Sequence, residues 1–360
     1  MRKMDSGCDF IQWLGPDMSI QILEHLDDPS DIVRVSAVSR LWHQFAIENG
    51  LSRQLCLRMF PEISSAAHVI EANNKIEPVK LNRSSNMEWE CLRRKHKVYS
   101  FLAKGLSPVI RNDCIRGAIS ASSTDNYPDE SIQNTLEARD RVDNRPSYWS
   151  SKGEDDPSVP ETLLYRLTVK LSVVAEIHVQ PFQAFFQYGF PIYSAKAIRF
   201  KIGHLRNLME TEADDFGNSA ADRFIWTYTS PEFPMVQESS LQKFELPEPV
   251  LCVGGYLLVE LLGRVQKQEI DALYYICIAH VKVVGRPALP AFDVEMLDQS
   301  GTCDLRYYSC RESAVKSPSL KMGGPSRLST FNAIWNRILG AGAGTVAGDD
   351  DDEPEDEFPI

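Results

Sequence analysis

The run ETLLYRLTVKLSVVAEIHV, residues 161–179, sets the reading of the largest part of the chain. Leu163, Tyr165, Leu167, Val169, Leu171 and Val173 fall on every second position, largely separated by polar residues. Side chains of an extended chain point alternately to opposite faces, so this pattern predicts a half-buried strand. Working outward, further strands are expected at Glu176–Gln180, Ala197–Ile202, Ile225–Thr229, Leu241–Leu246, Tyr256–Gly263 and Tyr274–Val284. Pro181, Gly189, Pro191, Pro231, Pro234, Pro247, Pro249 and the pair Gly254-Gly255 punctuate them. Many strands, frequent turn residues and little helix predict an antiparallel β-sandwich of jelly-roll type over residues 105–287. A stretch of about 180 residues is long enough to bury its own core.

Before residue 105 the texture is helical. A short helix is expected over Met18–Leu26, with Ile22, Leu23 and Leu26 on one apolar stripe. Asp28 and Pro29 then suit the cap and first position of a second helix running to about Glu48, whose apolar residues Val35, Val38, Leu41, Trp42 and Phe45 recur every three or four positions. A third helix fits Ser52–Met59, before Pro61. Residues 61–104 read as a helical linker. Its basic run Arg93–Lys97 reads as a solvated helix face with Leu92, Val98, Phe101 and Leu102 turned inward, against the alternatives of a nuclear-import signal or a phosphate-facing patch. Residues 288–360 lose periodicity and are expected to be mostly irregular. They end in Asp349–Glu357, eight carboxylates in nine residues, expected to be a disordered solvating tail. The fold class is α+β: three helices in residues 9–60, a helical linker, a sandwich, then the tail. The helices of 9–60 alone bury little surface, so their apolar stripe must meet a partner or residues 51–104.

WLGPDMSIQILEHLDDPSDIVRVSAVSRLWHQF, residues 13–45, resembles the F-box of plant-like F-box proteins. The family pattern is a Leu-Pro start, an Ile-Leu-x-x-Leu helix, an acidic or proline turn, and a helix with a Val-Ser/Cys-Arg-x-Trp run. Leu14 and Pro16, Ile22-Leu23 with Leu26, Asp27–Asp31, and Val38-Ser39-Arg40-Leu41-Trp42 stand in those places. Gly15, between Leu14 and Pro16, departs from it and bears on the geometry of the first turn. The resemblance implies that this segment docks onto a Skp-type adaptor, and through it a cullin, with Leu14, Pro16, Ile22, Leu23, Leu26, Val35, Val38, Leu41 and Trp42 as contacts. The chain would then be the substrate-recognition subunit of a cullin–RING ubiquitin ligase, not itself an enzyme.

The later zone resembles the galactose-binding-like, discoidin-type sandwiches. Members begin with a small-residue A-x-A-S-S strand and carry an aromatic-Trp-x-S-x-G element. Ala118-Ile119-Ser120-Ala121-Ser122-Ser123 and Tyr148-Trp149-Ser150-Ser151-Lys152-Gly153 stand in those places, with Phe200–Gly203 and Tyr275–Val284 as later strands. In that family ligands bind loops at one end of the sandwich. Tyr148, Trp149 and the aromatic, Gln-rich loop with Phe182, Phe185, Phe186 and Tyr188 are therefore the expected substrate contacts, against the plainer reading that Trp149 and Phe185 fill the core. The substrate would be a protein, modified or unmodified; the rival reading is a carbohydrate- or ligand-binding sandwich with no ligase role.

Composition narrows the alternatives. The chain has 360 residues, 43% hydrophobic and 24% charged, which is ordinary for a globular protein. The net charge of −12 falls to −4 once the eight carboxylates of the tail are removed, which leaves no basic footprint for nucleic acid. No apolar run reaches the roughly 20 residues needed to span a bilayer, and MRKMDSGCDF does not read as a signal peptide. Eight scattered cysteines without CxxC pairs suggest reduced thiols and a nuclear or cytoplasmic setting. The histidines at 25, 43, 68, 96, 178, 204 and 280 make no HxxxH or HExxH pair, and Cys303 and Cys310 have no second pair at zinc spacing. Gly342-Ala343-Gly344-Thr345-Val346-Ala347 matches GxGxxA without the βαβ unit that a dinucleotide site requires. Neither catalytic residues, a metal nor a cofactor is expected.

Overall fold

The structure, a computed structural model, describes residues 9–72, 84–107, 112–138, 141–142, 145–206, 223–288, 291–298 and 302–308. It opens with helices α1 (Phe10–Leu23), α2 (Pro29–Ser36), α3 (Arg40–Glu48) and α4 (Leu51–Met59). Asp28 caps α2, its carboxylate accepting from Ser30 N at 2.8 Å, with Pro29 in the first turn. The helix expected to run from Pro29 to Glu48 is two helices. Ser39 is fully extended, and its hydroxyl accepts from Trp42 N at 3.3 Å, starting α3 afresh. The first helix begins at Phe10 rather than Met18 and kinks at Gly15, whose φ of +77° is open to glycine at little cost; Pro16 follows.

Two sheets form the sandwich. In one, β2 (Ile115–Ala121), β3 (Glu161–Leu167), β8 (Tyr256–Arg264), β5 (Ala195–Leu205) and β6 (Phe224–Thr229) lie side by side in that order, all antiparallel. In the other, β4 (Leu171–Gln183) lies between β7 (Gln242–Val253) and β9 (Cys277–Pro287). Pro247 and Pro249 sit in β7 where its register against β4 shifts, at the edge of the sheet, so no central ladder loses a donor. Between the sheets lies a core that includes Trp149, Leu163, Tyr165, Ile177, Phe200 and Phe244.

The alternating run of residues 161–173 is thus not one strand. The chain leaves the first sheet after Leu167, turns through Thr168–Lys170 and enters the second at Leu171. Leu163, Tyr165 and Leu167 point into the sandwich, whereas Leu171 and Val173 point out of it. They meet α5 (Ser84–Leu106), the helix of the linker, which extends two residues past its expected end. Val98, Phe101 and Leu102 of α5 share one apolar cluster with Leu171, Val173, Leu251 and Val253. A third sheet completes this layer: β1 (His68–Glu71) pairs in parallel with β11 (Cys303–Tyr307), which pairs antiparallel with β10 (Phe292–Met296). The segment 288–360, expected to be mostly irregular, therefore supplies two strands whose Phe292, Leu305 and Tyr307 pack on the helical zone. Phe101 stacks on Tyr307 at 5.0 Å, and Lys97 forms an ion pair with Glu71 at 2.6 Å. The acidic stretch Asp349–Glu357, the GxGxxA at 342–347 and Cys310 lie outside the described residues.

Within the basic run of α5, Arg94 and Lys95 are exposed, but His96 is turned fully inward. It sits among hydroxyls of three helices: Ser52 Oγ is 3.0 Å from Nδ1, Ser36 Oγ is 3.4 Å from Nε2, and Ser100 Oγ is 2.6 Å from Ser52 Oγ. Ser36 donates to Ile32 O, so it can accept from Nε2–H while the Ser52 hydroxyl donates to Nδ1. That arrangement satisfies a neutral ring. Burial, reinforced by His43, pushes the imidazole down to about 3.

The sign of the pH dependence follows from that shift. Between pH 6.5 and about 3 the unfolded chain takes up a proton that folded His96 refuses, so this contribution to stability is complete above pH 6.5 and is lost as pH falls. The expected loss is at most about 1.4 kcal/mol per pH unit. Urea unfolding midpoints at a series of pH values should fall more steeply in the wild type than in His96→Gln. Equal slopes would show that His96 titrates normally in the folded chain.

Candidate functional site

Two surfaces emerge from this framework. The first is on the N-terminal helices. Leu23, Ile32, Ala46, Leu51 and Leu55 form their core, with Leu26, Val35, Trp42 and Phe45 packed against it. Trp42 is pinned to the start of α1: its Nε1 donates to both Asp9 carboxylate oxygens at 2.9 and 2.8 Å, and its ring meets Phe10 edge-on at 4.8 Å. Of the residues named as adaptor contacts, Leu23, Leu26, Val35 and Trp42 thus serve the helices' own core. Pro16, Ile22, Val38 and Leu41 are exposed and Leu14 is half-buried. The exposed Trp13 and Met18 were not foreseen, with Trp13 74% accessible. Met18 lies one helical turn before Ile22, a spacing that marks it as part of the same stripe.

The second surface is the end of the sandwich away from the helices. Here the Ser122–Ser123 and Trp149–Gly153 elements come together around one guanidinium. Arg264 is 1% exposed. Its Nε donates to Val159 O at 3.1 Å, its Nη1 to Ser151 Oγ, Lys152 O and Tyr274 O at 2.8–2.9 Å, and its Nη2 to Glu161 Oε1 at 2.5 Å. Glu161 also accepts from the hydroxyls of Ser123, at 2.7 Å, and Ser122. Trp149 is completely buried and donates to Ser123 O at 3.0 Å. It is a core residue and not a substrate contact, because it lies on the inner face of the sheet.

Its neighbour Tyr148 faces the other way and stacks on Phe182 at 3.9 Å, with its hydroxyl donating to Glu130 at 2.7 Å. Phe182 packs on Phe185 and Phe185 on Phe186, ring centroids 5.9 and 5.8 Å apart, and Tyr188, two residues on, is exposed. Tyr193 and Tyr275 meet edge-on at 6.3 Å; their hydroxyls donate to Gln187 and Asp271, each at 2.6 Å. Burial first, then nearby acidic groups, raises both phenols, Tyr193 to about 12, so they remain donors at neutral pH. Tyr148, Phe182, Phe186, Tyr193 and Tyr275 wall a concavity of about 150 Å³, with Asp125 and Glu130 among its lining. Of the six residues expected as substrate contacts, Tyr148, Phe182 and Phe186 line this concavity, Phe185 lines a neighbouring one, Tyr188 stands exposed beside them, and Trp149 lies in the core. Tyr193 closes the loop that the sequence marked as the recognition edge; sequence reading missed Tyr275, Asp125 and Glu130, which come from other parts of the chain.

Comparison with known proteins bears on the first surface. A family model described as F-box-like matches residues 16–58. An F-box protein of Arabidopsis thaliana is 49% identical over 310 residues, spanning 84% of this chain and 82% of the relative. The chain belongs to the F-box protein family. Helices α1–α4 are its F-box. For the sandwich, a Clostridium perfringens family 32 carbohydrate-binding module solved with galactose is 13% identical, covering 49% of this chain and 99% of that one at a TM-score of 0.31. A fucolectin from striped bass (Morone saxatilis) serum is 12% identical, covering 52% of each at 0.33. Likenesses this slight bear on nothing further.

Arg264→Ala would leave Glu161 buried beside unmatched acceptors, which should cost about 3–5 kcal/mol. Arg264→Lys should recover little, since one ammonium cannot reach partners spread along a planar fork. Denaturant unfolding of the three proteins checks both; a lysine variant as stable as the wild type would refute the geometric role.

Proposed function

We propose that this F-box protein is the substrate-recognition subunit of a Skp–cullin–F-box ubiquitin ligase. The carrying observation is that α1–α4 fill a core of their own yet leave Trp13, Met18, Ile22, Val38 and Leu41 exposed. Large apolar side chains that a core does not need are the usual anchors of a protein interface. Family membership supports the adaptor as the partner that covers them.

The chain's part in the reaction is recognition. The F-box holds the Skp-type adaptor and, through it, the cullin; the far end of the sandwich holds a protein substrate. Ubiquitin transfer is performed by other subunits, and the chain speeds it by raising the local concentration of substrate lysines. The same proposal sets the protein in the nucleus or cytoplasm. Among the described residues six cysteines are free, and burial of Cys56 and Cys252 pushes both thiols up to about 12, far from the reactive thiolate.

Exposed and buried neighbours make the test sharp. Ile22→Ala and Val38→Ala should each weaken adaptor binding by about 2 kcal/mol if central, with the melting temperature unchanged. Leu23→Ala, one residue along, should instead destabilise the helices by about 2–5 kcal/mol. Calorimetric titration with purified adaptor and thermal melts of the same samples read both effects. Wild-type affinity in both exposed variants would overturn the proposal.

A further inference from the structure

Three loops meet at the concavity that Tyr148, Phe182 and Tyr275 wall. Residues 122–131 supply Asp125 and Glu130, residues 184–191 supply Phe186, and residues 265–275 supply Gln268 and Tyr275. Each loop also holds large apolar side chains out to solvent: Tyr127, Tyr188 and Phe190, and Ile270, with Tyr188 and Ile270 at least 90% accessible. An apolar rim around a walled hollow is the anatomy of a binding surface rather than of a loop end left to solvent.

Charge selects the occupant. The three loops carry five carboxylates, Asp125, Asp129, Glu130, Glu269 and Asp271, and one cation, Lys267. Lys267 is drawn over the ring of Tyr274, at 5.4 Å from its centroid. Lys152 also acts on Asp125, and its influence there is smaller than those of burial and of Asp271. Burial and Asp271 together hold the Asp125 carboxyl above its ordinary range, and a positive charge entering the hollow offsets the repulsion and stabilises the carboxylate. The aromatic faces add to this, since a ring attracts a cation placed over it. The phenol hydroxyls of Tyr148 and Tyr275 are engaged by Glu130 and Asp271. The walls are therefore fixed before anything binds.

We infer that this hollow takes a lysine or arginine side chain from a basic segment of the substrate protein, the cation lying between the aromatic walls and the Asp125 and Glu130 carboxylates, with Tyr127, Tyr188, Phe190 and Ile270 gripping the flanking chain. The inference rests on the proposed recognition role and names the chemistry of its substrate. Asp271, already accepting from Tyr275, reinforces the field without touching the guest.

The test uses the full chain and a fluorescein-labelled peptide of alternating glycine and lysine. The same peptide with every lysine acetylated is the neutral twin, and free galactose is the third probe. The lysine peptide should bind, weaken as salt rises from about 50 to about 500 mM, and bind at least about tenfold more tightly than its acetylated twin. The isosteric pair Asp125→Asn with Glu130→Gln keeps an acceptor for Tyr148 and should lose about tenfold in peptide affinity. Its melting temperature and adaptor binding should match the wild type. Equal affinity for the acetylated peptide, affinity unchanged in the double variant, no binding of the lysine peptide, or galactose binding that excludes it would each overturn the inference. Adaptor binding on the same samples separates the two claims: adaptor captured without peptide removes only the cation pocket, and peptide bound without adaptor removes the ligase role.

Discussion

A guanidinium with no access to water organises the far half of this protein. Taking Arg264 and Glu161 out of solvent is costly, and their attraction offsets that cost only where every remaining donor and acceptor is engaged. Here it is: Val159, Ser151, Lys152 and Tyr274 surround the arginine, and Ser122 and Ser123 complete the carboxylate. The partners come from loops far apart in sequence, so one side chain fixes their mutual positions. Trp149 hangs from the same knot through Ser123 O, which places Tyr148 on the opposite face, against Phe182. This loop end is held from below by a polar centre, while the interior of the sandwich is held by apolar contact.

The near half is held differently. Leu171, Val173, Leu251 and Val253 form an apolar patch on the outer face of one sheet, and α5 with the three-stranded sheet covers it. The F-box helices join that layer through Val33, Cys56 and Phe60, and through the serines around His96. The chain is therefore not beads on a string. Cutting at residue 105 would expose a continuous apolar layer, which is the physical reason that strands from residues 292–307 return to pair with β1.

How far the residues alone foretold this can be seen in neighbouring pairs. Ile22 and Leu23 are equally apolar and lie on one helical stripe, yet only Leu23 turns into the core. A stripe wider than its own core needs looks the same in sequence as one that is wholly buried. Tyr148 and Trp149 are likewise adjacent aromatics, and strand alternation sends them to opposite faces. Sequence offers the pair; the sheet chooses between them. Met18 was legible from its spacing to Ile22, whereas Trp13 precedes the kink at Gly15, outside the helix expected to begin at Met18.

Local chemistry was determined by the sequence itself. The caps at Asp28 and Ser39, the glycine at the kink, the period of two in the strands and the three-to-four spacing in the helices all act within a few residues. Such forces are legible wherever the residues stand. The F-box was legible for the same reason, since its pattern is local. Tertiary structure alone decided which sheet received Leu171, that His96 is sealed among serines, and that Asp125, Glu130, Phe186 and Tyr275 share one hollow. Those outcomes depend on contacts between residues tens to more than a hundred positions apart, and no local periodicity encodes which distant partner closes a core or completes a buried charge.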